Sequence, residues 1–294
     1  MIEWMMPAAA GIAGVAAAHA LWQRRCGLPT PRLPAVLAYH KIGTAECGVT
    51  WCTRAGFAAH LDALLRAGIT CVGVDAFLQR LHGQDDLQSH SVLLTFDDAF
   101  ASFGAHAWPE LARRGLPAVL FVPSDFVGCT SRWDLRLPGR HVPHLDWRAL
   151  RELANRGVEI GAHGATHRDL RRLGATELER ELAGARACLE DALGVRVRAV
   201  SYPFGRTDAR VRTAAAAAGY ELGFVMAPSG SNARIDALAL PRRGVYIMDG
   251  ARAVLDKADA RRRGFWVQDV AGRAISAAAG VAAWGSTRVS QSDG

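Results

Sequence analysis

Residues 91–100 read Ser-Val-Leu-Leu-Thr-Phe-Asp-Asp-Ala-Phe. Three apolar residues and a β-branched threonine run without a break into Phe96, then stop at two adjacent carboxylates, Asp97 and Asp98. A short continuous apolar run of this kind predicts a strand buried on both faces. Two neighbouring acids at its C-terminal end repel each other unless a cation lies between them or one is kept for proton transfer. Taken alone, the pair also fits a strand followed by a helix, with Asp98 as the N-cap of a helix that begins at Ala99.

Working outward from this strand, the chain alternates between short apolar runs and amphipathic stretches. Strands are predicted at Ala35–Tyr39, which ends in His40, and at Ile69–Val74, Pro117–Val122, Val197–Tyr202, Glu221–Val225 and Leu238–Tyr246. Between them, residues 54–67 predict a helix capped by Thr53, with Phe57, Leu61, Leu64 and Leu65 on one face. Further helices are predicted through Leu78 and Leu81, up to Arg114, from the Asp146 cap to Gly157, and over residues 207–218. Thr176 and Glu179 have capping-box spacing ahead of Leu182 and Leu189. This alternation, without a glycine-rich dinucleotide fingerprint, predicts an α/β fold with parallel strands, either a barrel or an open doubly wound sheet. His40, Asp97, Asp98, His163 and Tyr202-Pro203-Phe204 all fall at or just after strand ends, which favours a barrel with its chemistry at the C-terminal face.

A second stretch reads Val158-Glu159-Ile160-Gly161-Ala162-His163-Gly164-Ala165-Thr166-His167. Here again a strand-like run ends in polar chemistry, now two histidines four residues apart. Neutral imidazoles are common zinc ligands, and two of them with one carboxylate leave a coordination position open for water. Thr95-Phe96-Asp97-Asp98-Ala99 resembles the TFDDG motif of the polysaccharide deacetylases (carbohydrate esterase family 4, the NodB homology domain). His163 to His167 resembles their H-[ST]-x-x-H motif, and Tyr202-Pro203-Phe204-Gly205 resembles their third, R-x-P-Y-G motif. The likeness extends over residues 35–246.

The resemblance implies a distorted (β/α) barrel of about seven strands and removal of N-acetyl groups from an N-acetylglucosamine-type polysaccharide, oligosaccharide or glycoconjugate. It implies that Asp98, His163 and His167 hold a divalent metal, with Zn²⁺ favoured and Co²⁺, Ni²⁺ or Fe²⁺ also compatible with the ligand set. By the same resemblance Asp97 is the base. Leu37-Ala38-Tyr39-His40 is similar to the early Tyr-His of the poly-N-acetylglucosamine deacetylase branch, which makes His40 the acid, because the late stretch from Leu238 to Arg243 contains no histidine. Tyr202, Pro203 and Phe204 would line the sugar pocket, with the Phe204 N–H directed to an oxyanion. Three positions depart from the pattern. Ala99 replaces a glycine, a change of little consequence if its backbone is helical. Gly164 replaces a hydroxyl-bearing residue that braces the loop. Ser201 stands where an arginine orients the base, leaving Arg242 or Arg243 to do so.

The chain has 294 residues, half of them apolar, with a formal net charge of +7. That size and composition suit a folded catalytic domain. The arginines are scattered over predicted helices, without an aromatic-interleaved basic stripe, which argues against a nucleic-acid partner. The expected partner is an N-acetylated glycan or glycolipid. Residues 1–34 divide into an apolar segment, 2–22, and a proline-bearing linker. The segment suits a membrane anchor, a surface-lying helix or a cleaved signal, and Arg24-Arg25 favours the cytoplasmic face for an anchored enzyme. Residues 247–294 predict a helical extension and tail, in which Trp266 and Arg261–Arg263 offer a second membrane contact. No C-x-x-C pair is present, and Cys47 and Cys52 flank a turn at which pairing stays open. Trp133, His141 and His144 read as surface residues of a long loop over 123–145. The competing functions are hydrolysis of a non-sugar amide or cyclic ureide by the same residues, and an inactive glycan-binding protein.

Overall fold

The structure is a computed structural model, and it describes residues 33–43, 48–84, 90–131, 133, 142–226 and 235–259. The described residues, which begin at Leu33, form one compact unit. The expected anchor at 2–22, Cys47, His141 and the basic run 261–263 lie outside the described residues. Cys52 is a free, buried thiol. No helix among the described residues is long and apolar enough to cross a membrane.

The strands of the main sheet run in chain order as β1 Ala35–Tyr39, β2 Ser91–Phe96, β3 Val119–Val122, β4 Glu159–Ala162, β5 Ala199–Ser201, β6 Leu222–Val225, β7 Leu240–Pro241 and β8 Arg243–Gly244. Each pairs in parallel with its neighbour, from β1 through β6 to β7. β8 returns to β1, with Leu37 opposite Arg243 and Ala38 opposite Gly244. The five residues from Leu240 to Gly244 therefore touch both edges of the sheet and bring it close to a closed barrel. The single long strand expected over 238–246 is instead two short pieces, because its first half pairs with β6 and its second half with β1. The strand expected over Ile69–Val74 shrinks to Thr70–Cys71 beside β2, since the chain turns at Gly73 into the next helix.

The helices are α1 Arg54–Arg66, α2 Val74–Leu81, α3 Trp108–Arg113, α4 Trp147–Asn155, α5 Ala175–Glu179, α6 Ala185–Leu193, α7 Ala209–Ala217 and α8 Ala251–Ala258. Thr53 and Asp146 cap α1 and α4 as their side chains predict, each accepting the backbone N–H three residues on. Gly174, not Thr176, caps α5, and Glu177 accepts its backbone N–H. Leu65 points to solvent, 44% exposed, whereas Phe57, Leu61 and Leu64 are fully buried.

All six residues of β2 are buried, as an uninterrupted apolar run between two layers requires. Strand alternation sorts them. Val92, Leu94 and Phe96 join the cluster beneath the helices, whereas Leu93 joins Val36, Val119, Phe121, Phe224 and Leu240 in a separate cluster. Thr95 and Asp97 follow Leu93 by steps of two and so share its side of the sheet. The same parity carries His163 after Gly161, Ser201 after Ala199 and Arg242 after Leu240. Gly161 has no room for a larger residue, since a Cβ there would stand 2.4 Å from the Phe121 ring. α8 packs on α1 and β1. Its Lys257 donates to the Gly244 carbonyl at 2.8 Å and pairs with Asp249, tying α8 to the closing strand.

Candidate active site and metal centre

The C-terminal ends of β2, β4, β5 and the β7–β8 segment converge on Asp97, His163, Ser201 and Arg242. Asp97 is buried and its two oxygens accept from both terminal nitrogens of Arg242, at 2.7 and 2.6 Å. The Arg242 side chain is fully enclosed. It also donates to Ser201 Oγ at 2.7 Å and Thr95 Oγ1 at 3.2 Å, and lies over the rings of Phe121 and Phe224. Burial pushes the Asp97 carboxyl up, but the Arg242 guanidinium, aided by His163 and His40, outweighs it and holds the group well below the usual carboxylate range. Of the two arginines that the sequence offered, the strand's alternation turns Arg242 inward, and it occupies both Asp97 oxygens. Ser201 keeps a part in this arrangement by bracing the arginine instead of being one.

Asp98 takes a different direction from its neighbour because the backbone turns over. Its φ is +71°, and that of Ala99 is +49°. A helix does not begin at Ala99, and its backbone is left-handed, the region that disfavours a Cβ and favours glycine. The tolerance expected for this replacement therefore does not come from helical geometry. The turn is held by the 142–146 segment: His144 Nδ1–H donates to the Asp98 carbonyl at 2.6 Å, and Leu145 N–H to that of Ala99 at 2.8 Å. His144 is buried and stacks on Phe100. It belongs to the site and not to a surface loop.

Asp98 Oδ1 stands 3.6 Å from His163 Nε2 and 3.4 Å from His167 Nε2. One donor atom from each of the three residues fits within 4.8 Å, and all three residues are buried. Ligand atoms about 2.0–2.2 Å from a tetrahedral ion are separated by roughly 3.3–3.6 Å, so the two measured distances match the edges of such a shell. The protonation states match as well. His163 Nδ1–H donates to the Ser201 carbonyl at 2.6 Å, which leaves the Nε2 lone pair directed at Asp98. Burial lowers the pKa of both histidines, that of His167 strongly, and keeps the imidazoles neutral as ligands must be. The residues present thus fit a divalent ion.

His167 is also left-handed, with φ +57°. Its ring stacks face to face on Trp133 with centroids 4.1 Å apart, and meets Phe204 edge-on at 4.9 Å. Trp133, expected on the loop surface, instead covers the His167 ring. Phe204 is half-buried with φ +59°, beside Gly205 at +64°. Asp98, Ala99, His167 and Phe204 are the non-glycine residues with left-handed backbone among the described residues, and all four lie here. Such strain persists where the surroundings over-determine it, and it concentrates at functional sites.

Tyr202 departs from its expected role. It is fully buried, with its hydroxyl donating to the Leu238 carbonyl at 3.0 Å, so it packs the barrel and offers no face to a ligand. Pro203 is buried too, which leaves Phe204 as the member of that motif beside His167. His40 retains 22% side-chain exposure, with Nε2 3.9 Å from Asp97 Oδ2. Glu181 had no sequence signal as part of the site, yet its carboxylate accepts the backbone N–H groups of Ala165 and Thr166 at 2.8 and 2.9 Å and the Thr166 hydroxyl. It replaces the brace missing at Gly164.

The chain is similar to known proteins in sequence and in fold. Residues 84–223 match the model of a family described as polysaccharide deacetylase. YxkH of Bacillus subtilis (strain 168), named after the same family, is 27% identical over 203 residues, which cover 68% of this chain and 67% of that protein. The Streptococcus pyogenes deacetylase PplD, solved in complex with acetate, has the same fold with a TM-score of 0.68 and 20% identity, over 78% of this chain and 100% of that one. BC0361, a polysaccharide deacetylase from Bacillus cereus, gives a TM-score of 0.63 and 20% identity, over 76% of this chain and 68% of that one.

Proposed function

We propose that the chain, whose residues 84–223 match the polysaccharide deacetylase family model, is a metal-dependent hydrolase removing N-acetyl groups from an N-acetylglucosamine-type polysaccharide, oligosaccharide or glycoconjugate. The observation that carries this reading is the pairing of two carboxylates from adjacent residues with opposite partners. Asp97 is locked to Arg242, and Asp98 faces the two neutral histidines.

Asp98, His163 and His167 would hold the ion, with Zn²⁺ the best match to one carboxylate and two imidazoles and with Co²⁺, Ni²⁺ or Fe²⁺ as alternatives. When bound, the ion supplies Lewis acidity toward the acetyl carbonyl and the attacking water. Asp97 accepts the proton of that water. Arg242 keeps the carboxylate ionised and fixes its plane, at the expense of intrinsic basicity. His40, across from Asp97 at the exposed rim, gives a proton to the departing sugar nitrogen. Phe204 lines the approach beside His167, and its backbone N–H donates to the oxygen that gains charge. Trp133 and Phe204 border His167 and limit the water around the reacting atoms.

The test is acetate release from N-acetylglucosamine oligomers by the Zn²⁺-loaded full chain, alongside Asp97→Asn and His40→Ala. Release by the wild type, lost in Asp97→Asn with zinc still bound, supports the reading. Stoichiometric zinc without acetate release from any N-acetylated sugar would overturn it in favour of a non-sugar amide or cyclic ureide.

A further inference from the structure

Glu181 is outside the ligand set, yet every group it touches lies between the two histidines. The helical segment from α5 to α6 widens into one π turn over Arg180–Gly184. Such a turn shifts the direction of its side chains relative to a regular helix, and π turns are frequent at functional sites. Here it aims Glu181, only 2% exposed, at the loop after β4. The partners of the carboxylate are two backbone amides and one hydroxyl, without a cation among the described residues. A buried carboxylate lacking a counter-charge is costly and is kept only when hydrogen bonds meet it closely, so this tie is stiff.

The opposite edge of the same loop is held by the segment after β3. Ser124 N–H donates to the Gly164 carbonyl at 3.2 Å, and Asp125 N–H to that of Ala165 at 3.0 Å. Gly164 has φ +72°, and a Cβ there would stand 2.9 Å from Glu181 Oε2, so the missing side chain makes room for the carboxylate. Residues 164–166 are thus gripped from both sides, and the chain leaves this grip directly into the left-handed His167.

We infer that Glu181 is a positioning residue for the metal centre: by gripping residues 164–166 it fixes His167, so that Nε2 meets Asp98 Oδ1 and the site closes tightly on a divalent ion. This role rests on the reading of Asp98, His163 and His167 as metal ligands. Loss of a group that orients a ligand typically weakens metal binding about 10–100-fold.

The experiment uses Co²⁺ as probe on the full chain, because its visible absorption reports coordination geometry independently of turnover. Affinity is read by chelator competition for the wild type, Glu181→Gln and Thr166→Val, and unfolding of each metal-free protein is followed in parallel. Glu181→Gln should bind Co²⁺ about 10–100-fold more weakly with an altered spectrum. Thr166→Val, which removes only the hydroxyl tie, should lose several-fold by the same principle. Wild-type affinity and spectrum in both variants would overturn the inference while leaving the metal centre intact. Should Glu181→Gln fail to fold, Thr166→Val decides alone by the same two readouts. A wild-type chain that binds no Co²⁺, Zn²⁺ or Ni²⁺ would remove the metal centre and this inference with it.

Discussion

The barrel has a carboxylate–arginine arrangement at each end, and the two behave in opposite ways. At the C-terminal end, Arg242 is fully enclosed and gives both terminal nitrogens to Asp97, whose carboxyl is held far below its ordinary range. At the N-terminal end, Glu159 Oε2 lies 3.5 Å from Arg198 Nη2, while Arg198 makes its shorter contact, 2.6 Å, with Asp75. Burial raises the pKa of Glu159 above its usual 4.5, against the Val74 N–H bond and the arginine, and the neighbouring charge of Asp75 raises it further. That end also holds a cleft of about 430 Å³, lined by Val74, Asp75, Glu159 and Arg198 among others. Its charges are matched to one another, with Val74 N–H donating to Glu159 at 2.6 Å. Cavity size and charge burial therefore do not by themselves mark the chemical end. Ligand lone pairs converging on one point, on a strained backbone, do.

The contrast can be broken most directly at the residues proposed to hold the metal. His163→Ala should abolish acetate release, by about 10⁴-fold or more if the Lewis acid is required, whereas Glu159→Gln at the other end should leave it within about twofold; a steady-state assay of both decides. Asp97→Asn should lower the rate by about 10²–10⁴-fold, the range of a lost general base, with bound zinc unchanged by metal analysis. Arg242→Met tests the pairing itself. It leaves Asp97 buried without its cation and should cost about 3–5 kcal/mol in denaturant unfolding, well beyond the effect of Arg198→Met in the half-exposed cluster.

Smaller effects sharpen the comparison. Ala99→Gly relieves a Cβ in left-handed backbone and should stabilise the fold by about 1 kcal/mol without loss of turnover, measured by urea unfolding. Glu159→Gln addresses the sign of the lower site. A carboxyl whose folded pKa is raised contributes stability below its unfolded value of 4.5, and this is lost as pH rises through the folded value. The Gln variant should therefore be slightly more stable than wild type at pH 7, by under about 1 kcal/mol, and the gap should close near pH 4. A gap that widened on acidification would reverse the sign assigned to Glu159.

Much of this was legible along the chain, for local reasons. An apolar run that ends in acids is a buried strand with its chemistry at one end, wherever it later packs. The alternation of strands and helices led to parallel pairing, and a barrel followed from polar residues recurring at strand ends. The grouping of Asp98, His163 and His167 came from the resemblance of their two motifs to those of the polysaccharide deacetylases, and parallel strands supply the physical reason the motifs meet, since their C-terminal ends lie on one face. The left-handed turn at Asp98 and Ala99 left no such mark, since neither residue is the glycine that usually signals one.

What only the tertiary structure decided depends on contacts between distant residues. Arg242 stands 145 residues from Asp97, and its selection over Arg243 required the register of a closing strand that pairs half with β6 and half with β1. Tyr202 is core and Phe204 borders the site because the chain inverts between them. Trp133, His144 and Glu181 reach His167, Asp98 and residues 165–166 from a loop and a π turn whose side-chain directions follow no period in the sequence. Period and composition specify which faces are buried. Which buried group meets which is set by the closure of the barrel, where each contact is chosen by the pleat, register and loop path of segments far apart in the chain.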